Sequence, residues 1–241
     1  MKLNKLNVFY NYFEKDKIKF NNFSLALGFF DGVHLGHKKV IENCVEKAKE
    51  NNLKSALVTF TNHPKCIIDN VEPKYILDFN SRLKHIEKLG VDCCFVYDFD
   101  EKFLNLNYYH YIQNILVDNF HPKFITTGFN HYFGKNKQGT PEKLKQYEKQ
   151  FGYIYNKVEP YNLNGEIVSS SLIRQKLTLG EIEKANKMLS KEHEKLNHEH
   201  EKLNQQISTL QEEADKADRK NGFSLNQKIK GWFSKPSAED K

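Results

Sequence analysis

An α/β fold on a mostly parallel sheet is predicted here, and three features of the sequence carry that prediction. Short apolar runs of strand length recur through the first 189 residues; each is followed by a helix-like segment; glycine and polar turns separate them. The first strand is Ser24–Gly28 and the first helix Gly36–Glu50. Ser55–Phe60 is the next strand, leading into a loop at His63-Pro64. A helix over Arg82–Leu89 closes at Gly90 and returns as a strand over Val91–Tyr97. Tyr108–Val117 is helical, Lys123–Thr127 is a strand, Pro141–Phe151 a helix and Ile154–Val158 a strand. In sheets of this kind ligands sit beyond the carboxyl ends of the strands, which directs attention to the loops after Leu27, Phe60 and Thr127.

Composition narrows the class. The 241 residues (28.4 kDa) suffice for a core without disulfides or structural metal. With 39% hydrophobic residues, 18 Phe and 12 Tyr, the chain is not globally disordered. No apolar run reaches the roughly 20 residues of a membrane helix, and Met1–Lys17 is too polar for a signal peptide. Cys44, Cys66, Cys93 and Cys94 lack CxxC spacing, so reduced thiols and a cytoplasmic location are expected.

Composition shifts after Leu189, where the domain boundary is placed. Residues 190–241 carry 10 basic and 10 acidic residues, so the whole +6 of the chain lies on residues 1–189. A modest positive excess suits an anionic small ligand. No Lys/Arg stripe interleaved with aromatics occurs, and a nucleic-acid partner is not expected. In the tail, KEHEKLN (191–197) is followed by HEHEKLN (198–204), and Leu189, Leu196, Leu203 and Leu210 recur every seven residues. His193, His200, Ile207 and Ala214 fill the other seam position. Leu225, Ile229, Trp232 and Phe233 share a further short amphipathic face. Self-association and docking through residues 190–241 are both open.

The segment Gly28-Phe29-Phe30-Asp31-Gly32-Val33-His34-Leu35-Gly36-His37 sits between a strand and a helix. Histidines at i and i+3 share a helix face, and a helix N-terminus offers free N–H groups to a phosphate. Gly36 leaves room for the backbone to approach one, and Gly32 permits a sharp turn. The pattern is also compatible with two surface histidines beside a turn, or with half a metal site. Without a third ligand at metal spacing, phosphate ranks above metal.

FDGVHLGH (30–37) resembles the HxGH motif of the nucleotidyltransferase superfamily, in the form found in bacterial FAD synthetases. Further segments match in order. TFTNHP (59–64) is similar to that family's TFxxHP; TGFNHYFGK (127–135), with Gly139, to its GxDFxFGxxxxG; VSSSLIR (168–174) to ISSTxIR; and GEIEKANKML (180–189) to the continuation. The likeness spans about residues 8–190. It implies a Rossmann-like nucleotidyltransferase domain over 1–189 that transfers AMP from ATP to FMN, giving FAD and pyrophosphate.

The resemblance also implies roles. His34, His37 and Arg174 would be catalytic; Phe30, Asp31, Gly32, Gly36, Ser170 and Ser171 would join them in binding ATP; His63, Gly128, Phe129, Asn130 and Phe133 would bind FMN. Ser170 and Ser171 read as helix caps able to hold phosphate oxygens. Mg²⁺ would arrive with ATP, held by phosphates and water, and no protein ligand is assigned to it. Asn130 stands where Asp is frequent and His131 where Arg is common. Bacterial members usually continue into a riboflavin kinase β-barrel, which residues 190–241 do not resemble, so kinase activity is not expected. Another HxGH adenylyl- or cytidylyltransferase is the alternative, and a non-enzymatic scaffold acting through the tail ranks below it.

Overall fold

The computed structural model describes residues 5–11, 22–68, 71, 74–190, 203, 205–212 and 216. Six parallel strands form one sheet: β1 (Asn7–Tyr10), β2 (Phe23–Leu27), β3 (Lys54–Phe60), β4 (Cys93–Tyr97), β5 (Phe124–Gly128) and β6 (Ile154–Val158). Their order is β1-β4-β3-β2-β5-β6. The chain winds outward from β2 first through β3 and β4, then reverses to β5 and β6, so β2 marks the switch point where such sheets open a crevice. A two-stranded antiparallel hairpin, β7 (Asn162–Leu163) and β8 (Glu166–Ile167), follows.

Both faces of the sheet are buried, as a parallel sheet requires. On one face Phe23, Leu25, Phe95, Tyr97 and Ile125 pack with Tyr111, Ile112, Leu116 and Phe120. On the other, Ala26, Leu57, Cys94, Val96 and Val158 pack with Val40, Ile41, Cys44 and Val45 of helix α1 (Leu35–Glu50) and with Ile86. Cys93 and Cys94 therefore face opposite sides of β4, and all four cysteines are free.

Most predicted elements occur within two residues of their expected bounds, and the differences have local causes. The helix expected from Arg82 begins at Phe79, because the Asp78 side chain accepts the Ser81 N–H and caps it. The helix through 108–120 runs beyond Val117, with a π-helical stretch Tyr111–Val117 inside it. The expected Pro141–Phe151 helix is two, Pro141–Gln146 and Glu148–Phe151, meeting at Tyr147. β1 went unread, since NVFY is an edge strand whose four residues are exposed or half-buried.

The chain's contacts divide into two units, Met1–Ser190 and Lys191–Lys241. In the second unit Leu203 is helical, as is the run 205–212, and Leu203, Ile207 and Leu210 are exposed. The seam positions His193, Leu196, His200 and Ala214, and the amphipathic segment Leu225–Phe233, lie outside the described residues. No described helix is long and apolar enough to cross a membrane.

Phe95 is fully buried and meets Phe9, Phe23 and Phe120 at ring distances of 5.1, 5.8 and 4.6 Å. Phe95→Ala should cost about 3–5 kcal/mol in urea unfolding, because three rings cannot collapse into the space it leaves.

Candidate active site

The crevice at the switch point opens above the carboxyl ends of β2, β3 and β5 and has a volume of about 420 Å³. One wall is the β2–α1 connection. Phe30 (φ 58°), Gly32 (φ 79°) and Val33 (φ 40°) all sit in the left-handed region, a conformation that a β-branched residue adopts only under strain. A Cβ on Gly32 would also lie about 3.0 Å from the Ile76 side chain. This turn ends at His34, which takes extended backbone angles and caps α1.

The cap fixes the chemistry of the histidine pair. His34 Nδ1 accepts the His37 N–H at 3.2 Å, so the neutral ring carries its proton on Nε2. The His34 and His37 rings stack at 3.6 Å with 16° between their planes. Gly36 makes that fold-back possible, since a Cβ there would meet the His34 ring at 3.2 Å and the Val168 carbonyl at 3.4 Å. Burial lowers the His34 pKa to about 4, and nearby Arg174 adds to the effect. Burial, His34, Arg82 and Arg174 together hold His37 well below the usual imidazole range. Both rings are therefore neutral near pH 7; the cap leaves His34 with its proton on Nε2, whereas His37 Nδ1 is buried without a hydrogen-bond partner and a hydrogen bond to the Asp31 backbone opposes the fall in the His37 pKa.

The facing wall is the start of the helix Ser170–Thr178. Its cap is Ser169, whose hydroxyl accepts the Leu172 N–H at 3.2 Å; the serines expected to cap, Ser170 and Ser171, are its first helical residues. Ser170 Oγ donates to the Asp31 carbonyl at 3.1 Å, tying this helix to the histidine turn. Ser169, Ser170 and Ser171 all line the crevice, so hydroxyls and unpaired N–H groups face the α1 N-terminus across it.

Asp31 and Gly32, expected among the nucleotide contacts, do not line the crevice. Asp31 is 2% exposed, accepts the Ile76 N–H at 3.1 Å and the Leu77 N–H at 3.3 Å, and pairs with Arg174 Nη2. Its carboxylate is thus spent on holding the 74–77 segment and aiming Arg174. Arg174 Nε donates to the Lys74 carbonyl at 2.7 Å, while the guanidinium still reaches the crevice. Phe30 lines the crevice but is buried, its ring edge-on to His37 at 5.5 Å.

The third wall follows β5. Gly128, Phe129 and Asn130 line the crevice, Phe129 being 37% exposed, and His63 reaches it from the β3 loop. Phe133, expected to touch a flavin, does not line the crevice and is buried against Tyr111 at 5.0 Å and His131 at 5.6 Å. The reason is the isolated bridge between Phe133 and Gly139, which turns the ring inward and supports the loop from below. Residues unread in the sequence also line the site, among them Phe29, Lys65, Tyr111 and Tyr161. Isolated aromatic and basic residues on separate elements carry no shared spacing signal, so nothing in the pattern could single these out. Among the described residues no group of three or more His, Cys, Asp or Glu gathers to hold a metal ion.

Comparison with known proteins bears on this geometry. The family described as FAD synthetase matches residues 16–172. The chain is 34% identical over 168 residues to the bifunctional riboflavin kinase/FMN adenylyltransferase of Listeria monocytogenes, covering 68% of this chain and 52% of that protein. It is 31% identical over 171 residues to the enzyme of that name from Haemophilus influenzae, covering 70% and 56%. With the Bacillus subtilis enzyme of the same name the identity is 33% over 172 residues, covering 70% and 54%. The chain thus spans about half the length of the curated relatives it matches. Among solved structures, a macrolide-efflux protein from Streptococcus pneumoniae aligns with a TM-score of 0.67 and 27% identity, over 76% of this chain and 70% of that one.

Acid should weaken the fold in a defined window. Burial lowers His34 and His131 to about 4, so between there and the ordinary value of 6.5 the unfolded chain binds more protons than the folded one. Stability is full above pH 6.5 and falls as pH drops toward 4. Melting temperature should decline between pH 7 and pH 5, and less steeply in His131→Gln than in the wild type.

Proposed function

The chain belongs to the FAD synthetase family, and on that premise we propose that residues 1–189 are an FMN adenylyltransferase, joining AMP from ATP to FMN and releasing pyrophosphate. The observation that carries this reading is the crevice at β2, where the stacked His34/His37 pair faces the Ser169–Ser171 helix start and Arg174. A phosphate of FMN attacks the α-phosphorus, the bond to the β-phosphate oxygen breaks, and pyrophosphate leaves. No covalent protein intermediate is needed, so the work is alignment and charge stabilisation.

The residues divide that work. His34 Nε2–H and the His37 ring donate to oxygens on the transferring phosphoryl group, with the α1 N-terminus behind them. Arg174 and the N–H groups of Ser170 and Ser171 hold the pyrophosphate end. Phe129 and Asn130 offer an exposed ring and an amide to the flavin, and His63 approaches from the opposite loop. Mg²⁺ would come bound to ATP. Asp31, the carboxylate within the histidine turn, is already committed to Arg174 and two amides, so phosphate oxygens and water would supply the ion's ligands, and we assign it no protein ligand.

We assign residues 190–241 to association rather than chemistry, since the crevice is lined between Leu27 and Arg174 and the tail's Leu203, Ile207 and Leu210 are exposed. A cytoplasmic enzyme that takes FMN as its acceptor substrate fits this reading.

Incubating the purified chain with ATP and FMN should yield FAD and pyrophosphate; with riboflavin in place of FMN it should yield neither FMN nor FAD. His37→Ala should lower kcat roughly 10²–10³-fold, as loss of a single oxyanion donor does. His110→Ala should change it little, because His110 does not line the crevice. FAD formation at wild-type rate by folded His37→Ala would remove the assignment.

A further inference from the structure

Arg82 is 2% exposed in the middle of the helix Phe79–Lys88, on a face that amphipathic spacing would give to an apolar residue. Among the described residues no carboxylate pairs with it. Its guanidinium instead forks onto two main-chain carbonyls, Nη1 donating to Phe29 O at 2.9 Å and Nη2 to Phe60 O at 2.6 Å. It lies 4.4 Å from the Phe29 ring centroid and 5.1 Å from that of Phe79. A buried cation without an ion-pair partner is costly, and here both main-chain bonds offset part of that cost.

The two carbonyls are not arbitrary. Phe29 follows the end of β2 and Phe60 ends β3, the adjacent parallel strands beneath the crevice, and both residues line it. Thr59 Oγ1 donates to the same Phe29 carbonyl at 3.0 Å. Directly after Phe29 the backbone enters the left-handed turn that delivers His34, so fixing this carbonyl fixes where the strained turn begins. The Phe29 ring in turn meets the His63 ring edge-on at 4.7 Å. One guanidinium thus bridges two strand ends, and both residues it bonds line the crevice.

We propose that Arg82 is a positioning residue for adenylyl transfer, acting through the Phe29 and Phe60 carbonyls to align the His34/His37 turn with the loop that carries His63. The inference rests on the FMN adenylyltransferase reading above. Lysine would keep the charge but cannot bridge both carbonyls with a planar fork. Phosphate-holding groups stay in place without the fork, whereas the reacting atoms lose their alignment, so turnover suffers more than binding.

The test is steady-state FAD formation by the full chain and its Arg82→Lys, Thr59→Val and doubly substituted variants, each checked for folding by circular dichroism. Arg82→Lys should lower kcat by roughly 10–100-fold, with KM for ATP and for FMN changed by less than about three-fold. Thr59→Val should lower kcat less, and in the double variant the two losses should be non-additive, because both residues hold the Phe29 carbonyl. A purely structural arginine would show losses of kcat that track the unfolded fraction, which overturns the proposal, as does wild-type kcat in folded Arg82→Lys. Where Arg82→Lys does not fold, unchanged kcat in folded Thr59→Val overturns it. A wild-type chain that makes no FAD removes the functional reading and this inference together; an active wild type with an indifferent Arg82 removes the inference alone.

Discussion

The hydrogen bond from the His37 N–H to His34 Nδ1 is the constraint on which the site is built. It makes an imidazole the cap of α1, where an Asp or Ser would ordinarily serve. Because the cap uses Nδ1, the proton must sit on Nε2, and because the ring folds back over the first turn, it lies flat on His37. A Cβ at position 36 would press on that ring at 3.2 Å, so glycine there leaves the fold-back uncrowded. Burial and the charge of nearby Arg174 then keep both rings neutral, so the pair carries no fixed charge at neutral pH. On the adenylyltransferase reading proposed above, such a pair would favour developing negative charge without trapping a polyphosphate ground state behind two cations.

Positive charge is supplied instead by arginines at graded depth. Arg174 is aimed from the second wall by Asp31 and the Lys74 carbonyl, and it reaches the crevice. Arg82 lies beneath, tied to the strand ends. Asp31 therefore works as a structural hub: its carboxylate orients Arg174 and the 74–77 segment, and its carbonyl receives Ser170. The strained turn through Phe30, Gly32 and Val33 is held by these contacts from both sides.

Much of this was legible in the sequence because it depends on local rules. Buried strand runs such as SALVTF and the Gly-x-His spacing announce themselves in residue order, and so does the motif series that places His34, His37, Ser170 and Arg174 on one crevice. What stayed hidden depends on long-range contacts. Nothing in the order of residues says that Arg82 turns inward, since a basic residue in a helix normally faces water. Phe133 looks like a ligand platform next to Phe129 until the Gly139 bridge turns it into the core. The capping register of SSS is likewise ambiguous by sequence, and is settled by where Val168 packs against Leu35 and Ile173. β1 escapes because an edge strand paired on one side needs little apolar patterning.

The protonation state of His34 tests the account most directly. In a ¹⁵N-labelled chain, nitrogen shifts of the His34 ring should show an unprotonated Nδ1 and a protonated Nε2 at pH 7, with no titration until the pH nears 4. A proton on Nδ1, or a midpoint near the ordinary 6.5, would contradict the cap, the stacked neutral pair and the donor role derived from them.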